Sequence, residues 1–160
     1  MDAAANTAGV ETPAELRFTM SRVFDAPRDE VFRLNLDPSL IPDWWGPRNL
    51  TTRVDKMDVR PGGEWRFVQR DAQGTEYAFH GTYQEIDRPA RLIQTFVYEG
   101  SPNDVIVETV TFEDLDGHTR VTTTDVFATR EARDEAMRSG MEHGAAESMD
   151  RFGEVLARRR

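Results

Sequence analysis

Between residues 71 and 117 the chain turns four times on short clusters of Gly, Pro, Asn and Asp. They are Asp71-Ala72-Gln73-Gly74, Asp87-Arg88-Pro89-Ala90, Gly100-Ser101-Pro102-Asn103 and Asp116-Gly117. Connections of this length join antiparallel neighbours, because a parallel pair needs a crossover of a dozen or more residues. The stretches between them alternate apolar and polar side chains, the mark of half-buried strands. An antiparallel meander is therefore expected over most of the chain.

Upstream, Leu16, Phe18, Met20, Arg22 and Phe24 alternate with Arg17, Thr19, Ser21 and Val23, which predicts a first strand. Ala26-Pro27 ends it. Pro27 suits a first helical position, and Val31, Phe32 and Leu36 predict a short amphipathic helix closed by Asp37-Pro38. Residues 39–45 suit a second short helix. Residues 50–59 and 64–70 read as strands around the turn at Pro61-Gly62-Gly63. The last 30 residues change period: Met137, Met141, Ala145, Met149, Phe152 and Leu156 recur at three- and four-residue spacing, which predicts one face of a single long helix. A sheet with one apolar face hides it, and the helix stripe with it, by curling around the helix. The expectation is a curved antiparallel sheet of about six to seven strands wrapped around a long C-terminal helix, with two short helices between the first two strands. Residues 1–14 read as a disordered tail and 15–160 as one domain.

The charge balance excludes several partners. Formal net charge is −9 over 160 residues, and a nucleic-acid binder needs a basic stripe that displaces counterions from phosphates. Nucleic acid and anionic membrane are both disfavoured. The basic run Arg158–Arg160 suits the C-terminal end of a helix dipole. Cysteine is absent, so disulfides and thiolate chemistry are out. Residues 1–12 lack a basic and an apolar segment of the kind that directs secretion, and no apolar run reaches the roughly 20 residues that span a bilayer. A cytoplasmic location is expected.

Three groups of residues resemble one family: Ser21-Arg22-Val23-Phe24-Asp25-Ala26-Pro27-Arg28, Trp44-Trp45-Gly46-Pro47, and Pro61-Gly62-Gly63-Glu64-Trp65-Arg66-Phe67. The chain is similar to the activator of heat-shock protein 90 ATPase homologues, within the START-like, or SRPBCC, superfamily of helix-grip domains. The likeness continues through Phe79-His80-Gly81-Thr82-Tyr83, Pro89-Ala90-Arg91-Leu92 and Gly140-Met141-Glu142-His143-Gly144 to Arg151, and so covers residues 16–157. It implies an α+β helix-grip fold around a ligand cavity. It departs from the family at Ala145, where the family usually carries Trp directly after the second glycine of the C-terminal helix. A smaller residue there implies more room.

Alternation puts Trp65, Phe67 and Gln69 on one face of their strand, Tyr77, Phe79, Gly81 and Tyr83 on the next, and Gln94, Phe96 and Tyr98 on the following one. Seven aromatic rings thus share a surface. Tyr hydroxyls and Gln amides need hydrogen-bond partners when buried, so this face suits either an aromatic pocket or a filled core whose Tyr tips reach solvent. The Asp116-Gly117 hairpin fixes a register that sets Phe112 opposite Val121, Val110 opposite Thr123, Glu108 opposite Asp125 and Ile106 opposite Phe127. Two carboxylates then meet on the apolar face, where burial and repulsion favour keeping one protonated. The pair serves either as a polar anchor in a cavity or as a solvated rim, bonded in one version to Arg22.

Trp44 and Trp45 suit a gate to the cavity or plain packing of the short helices. Met137, Met141 and Met149 suit a pliable pocket floor or ordinary core. His80 alternates to the outer face, His118 falls in a turn and His143 lies off the apolar stripe, so none is set up for metal or catalysis. No nucleophile beside a base, glycine-rich phosphate loop or metal cluster is present, and no cofactor is implied. The leading expectation is binding or sequestration of a small hydrophobic molecule, aromatic or polyketide-like. One rival is a cyclase- or dehydratase-type enzyme with Glu108 or Asp125 as acid or base and a Tyr as proton donor. The other is a chaperone contact like that of the family's co-chaperone namesake.

Overall fold

The computed structural model describes residues 13–159. Ala14–Leu16 form a short 3-10 turn. Most of the tail expected over residues 1–14 lies outside the described residues. Seven strands follow: β1 (Arg17–Phe24), β2 (Thr51–Met57), β3 (Glu64–Arg70), β4 (Glu76–Asp87), β5 (Arg91–Tyr98), β6 (Ile106–Asp114) and β7 (Thr119–Val126). Helices α1 (Arg28–Asn35) and α2 (Ile41–Trp44) separate β1 from β2, and α3 (Arg130–Arg138) and α4 (Met141–Arg158) end the chain.

The strands form one antiparallel sheet in the order β1-β7-β6-β5-β4-β3-β2. The four turns predicted from sequence all join neighbouring strands. At the last of them Asp116 (φ 60°) and Gly117 (φ 97°) both take left-handed backbone, the conformation of a two-residue hairpin whose twist matches its strands. Asp114 Oδ1 accepts the Asp116 N–H at 3.1 Å, which fixes the turn from within. The resulting ladder runs from Val107 opposite Val126 to Asp114 opposite Thr119, with Glu108 opposite Asp125. Phe127 leaves the ladder instead of continuing it opposite Ile106, because its N–H donates to the Leu16 carbonyl at 2.8 Å. Register shifts between Val54 and Lys56 on β2, and between Tyr83 and Glu85 on β4, insert extra residues that bend their strands and deepen the curl.

The single long helix expected from Met137 onward is two helices. Gly140 sits at φ 92°, a left-handed geometry that no continuous helix accommodates. Met137 therefore belongs to α3, and the long helix begins at Met141. Thr129 Oγ1 caps α3 by accepting the Ala132 N–H at 3.0 Å.

The core lies where α1, α2 and α4 meet the concave face of the sheet. Phe32 of α1 meets Phe112 of β6 edge-on at 4.9 Å between ring centroids. Phe152 of α4 meets Phe24 of β1 at 5.1 Å and Trp44 of α2 at 4.9 Å. Each such ring pair contributes about 0.5–1.5 kcal/mol beyond the area it buries. Thr119, fully buried, donates its hydroxyl to the Ala26 carbonyl at 2.7 Å and so ties the end of β1 to the start of β7. Among the described residues no helix is long and apolar enough to cross a membrane.

Candidate ligand cavity

Between the concave sheet and α4 the packing leaves a cavity of about 740 Å3. Its wall is the face that alternation predicts: Trp65, Phe67 and Gln69 from β3, Tyr77, Phe79 and Tyr83 from β4, and Gln94, Phe96 and Tyr98 from β5. Trp65, Phe67 and Tyr83 on this face are buried in the core, whereas Phe79 and Phe96 are half-buried and Tyr98 is exposed. Helix α4 supplies Met141, Ala145 and Met149 from the opposite side. Met137 does not line the cavity: the break at Gly140 puts it on α3, which borders the space with Ala132, Glu135 and Ala136 instead. Exposed residues of the loops and of α3, among them Asn49, Ser101, Asp104 and Glu135, border the same space and mark its mouth.

Trp44 and Trp45 do different things. Trp44 packs on Phe152, while the Trp45 ring sits among Trp65, Phe67, Phe79 and Phe96 at centroid distances of 6.2, 5.1, 5.4 and 6.1 Å. Trp45 is thus part of the aromatic wall. The segment after it is strapped to α4. Ser148 Oγ donates to the Trp44 carbonyl at 3.0 Å and accepts the Gly46 N–H at 3.3 Å. Arg151 donates to the carbonyls of Gly46 (2.9 Å), Pro42 (3.1 Å) and Pro47 (3.3 Å). Burial works against the Arg151 charge and pulls its pKa down, so these carbonyl dipoles stand in for lost water.

Strand register places the polar residues in one transverse row. Tyr83 of β4 is opposite Gln94 of β5, Gln94 opposite Glu108 of β6, Glu108 opposite Asp125 of β7, and Asp125 opposite Phe18 of β1. Directly opposed side chains stand about 5 Å apart at Cβ. Gln94 Nε2 donates to Glu108 Oε1 at 2.7 Å. Asp125 is 2% exposed, and its Oδ1 accepts no hydrogen bond from the described residues. Burial pushes its carboxyl well above the usual range, with the Glu108 charge and a hydrogen bond to Glu108 adding to the effect.

The alternative of an Arg22 partner for this pair is not what forms. Arg22 Nη1 reaches Asp150 Oδ1 on α4 at 2.7 Å. Burial of Asp125 also removes the solvated-rim arrangement for that member of the pair. Tyr83, 1% exposed, has its hydroxyl pKa raised by burial and then by Asp58. Tyr77, nearer the mouth, donates to Asp71 Oδ2 at 3.2 Å, which raises its pKa as well.

The histidines lie elsewhere. His80 Nδ1 is 2.8 Å from Glu99 Oε2 on the outer face, where Arg66 also grips Glu99 at 2.8 and 3.0 Å. His118 pairs with Asp25 at 3.2 Å, and His143 faces Glu147 at 3.6 Å. Sequence reasoning missed several contributors to the site. Phe18 and Met20 line the cavity from β1, a role their alternation allowed, and Thr123 and Phe127 join them. Ser148 and Arg151 gave no signal of their own, since their partners are backbone carbonyls a hundred residues away.

A curved antiparallel sheet that grips a C-terminal helix around an aromatic-walled cavity defines a helix-grip domain. Within that class, residues 25–157 match the family described as Activator of Hsp90 ATPase homolog 1-like protein, and the chain belongs to that family. It is similar to protein Ms6760 from Mycobacterium smegmatis, with 26% identity and a TM-score of 0.80 over 89% of this chain and 91% of that one. It is likewise similar to a protein from Arthrobacter aurescens, with 26% identity and a TM-score of 0.84 over 90% and 87%. DynU16, from the dynemicin biosynthetic locus, shares the fold alone, at 17% identity and a TM-score of 0.67 over 89% of this chain and 47% of that one. No curated protein matches the chain.

Proposed function

We propose that the chain binds or sequesters a small hydrophobic molecule, aromatic or polyketide-like, in the cavity between sheet and helix. The observation that carries this reading is the open space of about 740 Å3 walled by Trp45, Trp65, Phe79 and Phe96. Ligand sites of small molecules fall at roughly 300–1,000 Å3, mostly apolar with a few placed polar groups. Here those groups are Gln94, Glu108 and Asp125. A ligand that fills the space replaces water on aromatic faces and meets its hydrogen-bonding partners in one row. Native mass spectrometry of the purified protein, followed by thermal unfolding with an aromatic library, tests the reading. A ligand present at 100 times its Kd adds about 2.7 kcal/mol to folding stability. A flat response across the library removes the proposal.

One observation favours a second reading. Asp125 is a buried carboxyl with an unpartnered oxygen and a raised pKa, which is how catalytic acids are often poised. In a cyclase- or dehydratase-type enzyme Asp125 or Glu108 serves as the acid or base, and Tyr83 ends the same row as a proton donor. Altered products recovered after incubation with a candidate ligand distinguish turnover from storage.

A further inference from the structure

The charged lining of the cavity has a single sign. Asp71, Asp104, Glu108, Asp125 and Glu135 border it, and no lysine, arginine or histidine among the described residues does. Nearby cations are engaged elsewhere: Arg22 with Asp150, Arg48 with Glu154, Arg151 with loop carbonyls, Arg133 with the Arg17 carbonyl. Acidic lining alone does not define a ligand. Asp125 supplies the second observation, because it is 2% exposed with Oδ1 unpartnered.

A buried Asp125 carboxylate facing the half-buried Glu108 without a cation is costly, and in the empty site a proton offsets the cost. A ligand cation removes it more completely. An ammonium has several N–H donors, and three acceptors lie along the row: Asp125 Oδ1, Glu108, and the Gln94 carbonyl oxygen left free by the Nε2 bond to Glu108. The aromatic rings favour the same charge. Phe96 follows Gln94 by two positions on the same face of β5, and Phe18 closes the row on β1, so aromatic side chains neighbour the carboxylates, and an aromatic ring attracts an organic cation that reaches its face. A carboxylate or phosphate on the ligand would add negative charge beside an acidic row that holds no cation to pair it.

We propose that the ligand of this cavity is a hydrophobic amine, whose ammonium docks on Asp125 and Glu108 while its apolar body lies against the rings of β3, β4 and β5. This rests on the cavity being a ligand site and names the chemical class that the site takes. It excludes fatty acids and other anionic amphiphiles as preferred ligands.

The test uses three probes of one shape: naphthylmethylamine, naphthylmethanol and naphthoic acid, titrated calorimetrically into the intact chain at neutral pH. The amine is expected to bind at least roughly tenfold tighter than the alcohol, the gain of a desolvated cation–π and charge-assisted contact. The acid is expected to bind more weakly than the alcohol. Asp125→Asn and Glu108→Gln should each bring the amine toward the alcohol's affinity, and a cooperative thermal transition in each variant shows that it folds. An alcohol that matches the amine, an acid that binds tightest, or an amine preference that survives both substitutions overturns the amine proposal and leaves the cavity reading standing. Binding of none of the three removes both.

Discussion

Glu108 stands directly opposite Asp125 in the β6–β7 ladder, and among the described residues no lysine, arginine or histidine borders the cavity they share. The arrangement follows from a turn nine positions before Asp125: left-handed backbone at Asp116 and Gly117 sets the register, and the register sets the pair. Burial does the rest. Asp125 is deeper, and its burial favours the form that holds a proton.

The first prediction follows from that proton. The folded-state pKa of Asp125 is raised above its ordinary value of 3.8, so the folded chain holds a proton that the unfolded chain releases. Stability from this site is full below the ordinary value and is lost as pH rises through the folded one. Asp125→Asn abolishes the titration and keeps the shape. The variant should match the parent chain in acid and gain on it with rising pH, by about 1.4 kcal/mol per pH unit inside the window. Urea unfolding across the pH range measures this, and parallel stability curves for the two chains would refute it.

The carboxylate pair was legible from sequence because a two-residue turn with left-handed residues admits one register. The break in the C-terminal helix was not, because apolar residues at 137, 141 and 145 keep four-residue spacing straight across Ser139-Gly140. Periodicity registers which residues are apolar and ignores a backbone that reverses hand between them. The straps on the Trp45 segment were hidden for another reason: Arg151 and the Gly46 carbonyl it holds are 105 positions apart. The bulges at β2 and β4 depend on how the sheet closes around α4, which no local window contains. Alternation gave the aromatic wall, whereas the empty space behind it depends on how α4 is seated.

The second prediction concerns that space. Ala145 lines the cavity from α4. Were this face packed solid, an added indole would cost about 1–3 kcal/mol in strain. Against open space, Ala145→Trp should leave the Tm unchanged or higher and weaken binding of naphthyl probes by filling their volume. Thermal unfolding and calorimetry on the same sample decide it, and a variant that unfolds would show that no such space exists.

On the outer face, Glu99 accepts hydrogen bonds from Arg66 and then His80, which hold its carboxyl down to about 2 from the ordinary 4.5. A carboxyl depressed on folding contributes stability above its ordinary value, and the contribution is lost as pH falls through the folded value. Glu99→Gln should therefore be the less stable chain at neutral pH and approach the parent as pH drops from about 4.5 towards 2. The effect is small because water screens the group. Acid-induced unfolding followed by circular dichroism reads it, and a difference that persists unchanged to the acid end would point to packing rather than charge.

The last prediction concerns Arg151. One planar guanidinium spans the carbonyls of Pro42, Gly46 and Pro47, and through them it seats Trp45 in the aromatic wall. A lysine ammonium is a point donor on a flexible stem and does not reach the same set together. Arg151→Lys weakens the hydrogen bonds to the half-buried Gly46 and Pro47 carbonyls, at a cost of about 0.5–1.5 kcal/mol. The loss should be local as well as global: amide hydrogen exchange should quicken over residues 42–47, and the tryptophan emission should move to longer wavelength as Trp45 meets water. Arg138→Lys serves as the control, since Arg138 is an exposed residue whose partner is Glu135 one turn away on α3, and changes there stay within about 0.5 kcal/mol. Equal exchange over 42–47 in Arg151→Lys and the parent chain would mean that the segment is held by Ser148 and ring packing alone.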